Sequence, residues 1–180
     1  MNKGLISGVV LLVIGLVCGL LLAVVNSFTS VIIKANEDAI VLASLNEVYE
    51  GSGNYDLDIV NGSGAIDKIY VLRDKLDDSI VAIVYSVKAF GYQSDIKMLI
   101  AVEKNDQSAL VFAGYKVLSQ AETPGIGDVI IGYDFKMDGQ LITNIDAFAG
   151  PTATFTSNAV KTCFQLVSAR VAADFGGIQS

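Results

Sequence analysis

Polar positions almost vanish over the first part of the chain. From Gly4 to Ile33 there is no charged residue, and Leu11 to Val25 is nearly unbroken Leu, Val, Ile, Gly and Ala. This exceeds the ~20 apolar residues that cross a hydrocarbon core as a helix, so residues 1–33 are expected to form a transmembrane anchor. A cleaved signal peptide needs a shorter apolar core ending in a small-residue cleavage site, and here the run continues past that length. GLVCGLL places Cys18 where a lipoprotein acceptor would sit, but Val17 stands where processing requires a small residue; Cys18 is read as a lipid-facing or packing cysteine.

Beyond the anchor the period of the pattern changes twice. Ala35, Ala39, Leu42, Leu45, Val48 and Tyr49 recur at helical spacing, which predicts a helix over 36–50, either separate or continuing the first, that GSGNY stops. Four β-branched or aromatic runs follow, DKIYVLRD, SIVAIVYSVKAF, DIKMLIAVEK and ALVFAGYKVLSQ, bounded by Asp, Gly, Asn or Gln. Lys75–Ser79 and Asn105–Ser108 are expected as hairpin turns. DVIIGYDFKM and QLITNIDAF bracket Asp138-Gly139 and are expected to form a further hairpin. Thr156-Ser157 is then the expected N-cap of a last helix, with Val160, Phe164, Val167, Val171 and Phe175 as its core-facing stripe. The fold class is α+β: one N-terminal transmembrane helix, then a β-rich domain over 34–180 that ends in a C-terminal helix.

Charge and cysteine content narrow the chemistry. Outside the anchor there are 19 acids against 11 bases, Lys3 being set aside from the total of 12, a formal charge of −8. Such a surface repels phosphate backbones and argues against nucleic acid. Lys3 and the amino terminus precede the apolar run, while Glu37 and Asp38 follow Lys34, so counting basic residues puts the N-terminus in the cytoplasm and the domain outside it. The chain has no histidine and two cysteines, Cys18 and Cys163. It cannot by itself supply a four-thiolate iron–sulfur site, a His-ligated haem or zinc, or a Ser-His-Asp or Cys-His nucleophile. Redox or transfer chemistry here would rest on an organic cofactor, and no G-x-G-x-x-G dinucleotide loop follows a strand.

One short stretch concentrates hydroxyl groups: AGPTATFTSNAVK, Ala149 to Lys161, just where the last helix is expected to begin. Unpaired backbone N–H groups and the positive end of the helix dipole favour a phosphate there. The plainer alternative is that Thr156 and Ser157 cap the helix while Thr152 and Thr154 fill out a turn.

Read together with AETPGIGD, Ala121 to Asp128, the cluster resembles the FMN-binding domain of the G subunit of the Rnf electron-transport complex, a domain shared with the C subunit of the sodium-pumping NADH:quinone reductase. That family places an E-T-P-G-[LI]-G loop before D-x-x-[STA]-G-A-T-x-T-S-x-A-V. Glu122-Thr123-Pro124-Gly125-Ile126-Gly127 is the most specific match; VNSFT (25–29), Gly91-Tyr92 and Ile96 to Val102 also follow the family pattern. The resemblance implies FMN joined through its phosphate to a threonine by a flavin transferase. It also implies neighbouring membrane subunits, and electron flow between ferredoxin and NAD coupled to Na⁺ or H⁺ movement across the cell (inner) membrane. NAD and ferredoxin would bind other subunits.

The match departs from the family at several positions. Gly150 is followed by Pro-Thr-Ala-Thr where the family has Ala-Thr, so counting from Asp146 selects Thr152, while counting back from Thr156-Ser157 selects Thr154; the second is favoured. The interval from Gly127 to Asp146 is short, and Ala121 replaces a frequent histidine. The resemblance implies that Thr152, Thr154, Thr156, Ser157 and Gly150 surround the phosphate. Glu122, Thr123, Gly125 and Gly127 would contact or orient the flavin, the alternative being that Pro124 to Gly127 form only a tight turn, and Asp146 is either read by the transferase or merely ends a strand. Tyr92 could stack on the ring or pack in the core. A quinone-reductase C subunit, a stand-alone extracellular flavoprotein and a membrane-anchored binding module are the alternatives.

Overall fold

The computed structural model describes residues 3–177, the side chains at 3–5, 31, 32, 34, 35, 37, 38, 176 and 177 excepted. The chain divides into two units, Met1–Ile40 and Val41–Ser180. Helix α1 (Lys3–Val48) supplies all the described structure of the first. Its segment Ile6–Ser30 has a mean hydropathy of 3.1 and no buried side chain, so it is long and apolar enough to cross a membrane. Two of the hydroxyls there turn back onto the helix, Ser27 donating to the Val24 carbonyl (2.8 Å) and Ser30 to that of Ser27 (3.3 Å), a local bond that satisfies the group within the helix. Met1, Asn2 and the side chains of Lys3, Lys34, Glu37 and Asp38, which carry the orientation argument, lie outside the described residues, as does the side chain of Ala35.

The second unit is built on a five-stranded antiparallel sheet in chain order: β1 (Asp56–Asn61), β2 (Ile66–Arg73), β3 (Ile80–Phe90), β4 (Asp95–Lys104) and β5 (Leu110–Ser119). The central strands read as continuous apolar runs because both faces of the sheet are covered. Along β3, Ile83, Tyr85 and Val87 point to one core and Ala82 and Val84 to the other. Helix α2 (Thr154–Gly177) lies over β3 and β4, and Val160, Phe164, Val167, Val171 and Phe175 are all buried there, so the expected stripe is the packed one. Tyr85 and Arg170 both donate to the buried Asp174 (3.0 and 2.8 Å), tying the far end of α2 to β3.

The opposite face is closed by the last turns of α1, through Val41, Leu45 and Val48. This face is rotated from the one expected: Leu42 is exposed, and Val41 and Ser44 are buried in its place. Gly114 of β5 lies where a Cβ would come within 2.0 Å of the Val48 carbonyl oxygen, so only glycine permits this approach. Past Val48 the helix stops at Gly51, whose φ of 78° is left-handed.

Two expectations are corrected. The segments 128–137 and 140–148 do not form a hairpin. They contain 3-10 turns at Asp128–Ile130 and Ile145–Ala147, and their side chains Ile130, Phe135, Met137 and Ile142 plug singly into the core under α2. Positive φ at Gly132 (70°) and Lys136 (61°) breaks the extension a strand requires. Asp138-Gly139 does sit in a turn, closed by Gln140 N–H to the Met137 carbonyl (3.1 Å), but the following residues pair with β5, through Val111 and Leu141, rather than with the preceding segment. The second correction is the start of α2: Ser157 N–H bonds the Ala153 carbonyl (2.8 Å), so the helix begins at Thr154, and Thr156 and Ser157 are inside its first turn rather than capping it. Strand β1 was not expected at all.

Candidate functional site

The E-T-P-G-I-G loop, the turn between β3 and β4 and the start of α2 meet at one carboxylate. Glu122 is 5% exposed. Its oxygens accept from the backbone N–H groups of Tyr92 (3.0 and 3.1 Å), Gln93 (3.1 Å) and Ser94 (3.3 Å), and from the Thr156 hydroxyl (2.7 Å). Burial alone would raise its pKa, but the bonds from Thr156, Gln93, Tyr92 and Ser94 together outweigh burial and hold the carboxyl below the usual glutamate value. An ionised carboxylate therefore staples three segments that are distant in sequence.

The glycines of both motifs make room for this staple. At Gly91 a Cβ would come 2.6 Å from a Glu122 carboxylate oxygen, and at Gly127 it would come 2.6 Å from the Glu122 Cβ and 3.1 Å from the Thr156 hydroxyl. Gly125 has open space around it but a φ of 74°, which a turn of this hand requires. The loop is closed by Ile126 and Gly127 N–H groups on the Thr123 carbonyl (3.1 and 2.9 Å), and by Gly125 N–H on the Asp128 carboxylate (2.7 Å). Gln93 donates to the Thr123 hydroxyl across the junction (3.1 Å).

Above the staple is a cleft of about 560 Å³. Its lining brings together Glu122, Thr123 and Gly127 from the loop with Thr154 and Thr156 from α2. Of these, Thr154 is the exposed hydroxyl at the first helical position, its oxygen donating only a long bond to the Thr152 carbonyl (3.3 Å). Thr156 is 2% exposed and its hydroxyl is committed to Glu122. Ser157 is buried and donates to the Pro151 carbonyl, and Gly150 packs against it, a Cβ there falling 2.8 Å from the serine hydroxyl. Thr152, Ser157, Gly125, Gly150 and Asp146 lie outside the cleft lining, Asp146 being exposed on the 3-10 turn Ile145–Ala147.

The cleft also has apolar walls. Tyr92, Ile126 and Phe155 line it with 62%, 62% and 70% of their surface exposed. Tyr92 is therefore not a core aromatic. Phe155 and Ile126 have no role assigned by the motif, although Phe155 carries a signal in the sequence: it falls off the helical phase of the Val160–Phe164–Val167 stripe, to which Thr156 and Ser157 conform. Cys163, by contrast, is fully buried, and burial pushes its thiol up to about 12, so it is an inert core residue. Among the described residues no group of acidic or cysteine side chains could hold a metal ion.

Residues 91–167, from the glycine under the staple to the middle of α2, match the family described as FMN-binding domain, and residues 1–48, the extent of α1, match the RnfG N-terminal region. The G subunits of the ion-translocating oxidoreductase complex from two strains of Cereibacter sphaeroides are each 31% identical over 146 residues, 77% of this chain and 64% of the relative. The chain thus spans a little under two thirds of the length of these relatives.

Proposed function

Because the chain belongs to the family of G subunits of ion-translocating oxidoreductase complexes and carries an FMN-binding domain, we propose that it is a membrane-anchored flavoprotein subunit of an Rnf-type complex. In this reading it relays electrons through FMN held as a phosphoester on Thr154, within electron transfer between ferredoxin and NAD coupled to Na⁺ or H⁺ translocation. The observation that carries the reading is the position of Thr154: an exposed hydroxyl at the first turn of α2, opening into a cleft that Tyr92, Ile126 and Phe155 wall on its apolar side.

The residues present fit the group. A cleft of about 560 Å³ is within the usual cofactor range of about 300–1,000 Å³. The N–H groups of Thr154, Phe155 and Thr156 precede the first intrahelical bond, which Ser157 N–H makes, and sit at the positive end of the α2 dipole, which suits a phosphate on Thr154. Thr152 lies outside the cleft, which favours the downstream count of the motif. Glu122 acts through position: its charge is spent on the turn and on Thr156, so it sets the angle at which α2 presents Thr154. Thr123 stands at the cleft with its hydroxyl accepting from Gln93.

When bound, FMN supplies reversible uptake and release of electrons. The chain's part is to fix the ring's location relative to the membrane and to tune its environment. The helix Ile6–Ser30 would be the single membrane crossing, with the domain on the extracytoplasmic side of the cell membrane. Partners in this reading are the other membrane subunits, the lipid bilayer and a flavin transferase that loads Thr154. The match of residues 1–48 to the RnfG region favours this branch over a quinone-reductase C subunit.

The test is electron transfer from reduced ferredoxin to NAD in membrane vesicles bearing Thr152→Val or Thr154→Val protein. The reading predicts loss of transfer in the Thr154 variant with normal assembly of the complex, and retention in the Thr152 variant. Unchanged transfer with Thr154→Val would remove the basis for the relay.

A further inference from the structure

We propose that Tyr92 and Phe155 form an aromatic wall on which the isoalloxazine ring of the tethered flavin lies, with Ile126 covering it from the loop; this rests on the reading of Thr154 above. Aromatic side chains ordinarily bury most of their surface on folding, and exposed apolar clusters mark binding surfaces. Here Phe112, Phe135 and Phe164 are buried completely or nearly so, while Tyr92 and Phe155 stay 62% and 70% exposed yet touch each other, their ring centroids 6.0 Å apart. Both rings line the cleft that Thr154 enters.

Three features select a flavin ring as occupant. The first is the tether: Phe155 directly follows Thr154, so a ligand attached there begins beside this wall. The second is geometry. The two rings are tilted by 46°, which leaves no parallel slot between them, so a flat tricycle rests across the pair and meets one ring by its face and the other nearer its edge. The third is the shared support. The Glu122 carboxylate binds both the Tyr92 N–H and the hydroxyl of Thr156, the residue after Phe155, so one group fixes the backbone beneath both rings. A wall so braced is rigid before the ligand arrives, which lowers the ordering cost of binding.

The experiment uses the full-length protein, isolated from a membrane that also contains the flavin transferase, as wild type and as Tyr92→Leu, Phe155→Leu and Tyr92→Phe. Intact mass reports loading, while flavin fluorescence per bound flavin and visible circular dichroism report contact with the wall. A phenol stacked on a flavin quenches its emission by electron transfer. The expected result is equal loading, severalfold brighter flavin in Tyr92→Leu, and a weakened visible dichroism in both leucine variants. Tyr92→Phe keeps the ring and its fit, so it is expected to gain fluorescence and retain the dichroism. Fully loaded variants with wild-type fluorescence and dichroism would overturn the wall while leaving the Thr154 attachment intact. A wild-type chain without flavin mass would overturn both.

Discussion

Replacing Glu122 with alanine removes one acceptor from four donors at once. Three are backbone N–H groups in the turn at 92–94, and the fourth is the hydroxyl of Thr156, which is 2% exposed. A buried donor left without an acceptor costs about 1–3 kcal/mol. The turn amides lie beside exposed side chains and regain water as the truncation opens the site, and the threonine hydroxyl can rotate toward a carbonyl one helical turn back, so the loss corresponds to one or two groups rather than four. The expected destabilisation is about 2–4 kcal/mol. At roughly 4 °C per kcal/mol for a domain of this size, the midpoint should fall by roughly 8–16 °C. The assay is thermal unfolding of the detergent-solubilised chain followed by near-ultraviolet circular dichroism of the buried tyrosines. Glu122→Gln should recover only part of the loss, because its amide nitrogen faces N–H donors.

The pH dependence provides an internal control. The folded-state pKa of Glu122 is depressed, so the unfolded chain binds the proton more tightly and stability rises with pH through this group. Its contribution is full above the ordinary value of about 4.5 and is lost as pH falls through the lower folded value. The gap between wild type and Glu122→Gln should therefore be constant near neutrality and close at acid pH. An alanine variant within about 0.5 kcal/mol of wild type, the range of ordinary surface substitutions, or a gap that ignores pH, would refute the staple.

Two further substitutions probe the frame around the site. Gly127→Ala places a methyl 2.6 Å from the Glu122 Cβ, so it should lower the melting midpoint and reduce flavin loading together, as read by melting curves and intact mass. Phe164→Ala empties the centre of the α2 core, where the ring meets Phe112 (5.2 Å) and Tyr115 (5.4 Å) edge-on, and should cost about 3–5 kcal/mol in denaturant unfolding.

Much of this architecture was legible in the pattern of residues, and the exceptions have physical causes. The four strands β2 to β5 and the stripe of α2 declare themselves because both sheet faces and one helix face are buried, which forces long apolar runs and a clean helical period. Strand β1 escaped because all six of its residues are exposed at the sheet edge, where Asp56, Asp58 and Asn61 interrupt Leu57, Ile59 and Val60 and no face demands an apolar row. The opposite error at 128–148 arose because Val129, Ile130 and Ile131 have strand-like side chains. Only Ile130 of the three is buried, and the backbone there turns rather than extends. At the site, the motif residues were visible but their division of labour was not. Nothing in E-T-P-G-I-G shows that its glutamate faces inward to bind a turn thirty residues upstream, nor that Thr156 and Ser157 are buried and consumed by internal bonds while Thr154 stays exposed at the cleft. Those roles follow from which hydroxyls the helical phase of α2 turns toward the core.

The chemical state of Thr154 decides most directly whether this chain carries a tethered flavin. Protein isolated from its native membrane and digested to peptides should carry, on the peptide spanning 149–161, the added mass of FMN less one water, with fragmentation assigning it to Thr154. The adduct should vanish in Thr154→Val and persist in Thr152→Val. An unmodified peptide, or an adduct that fragmentation places on Thr152, would contradict the assignment of Thr154 as the residue that holds the flavin.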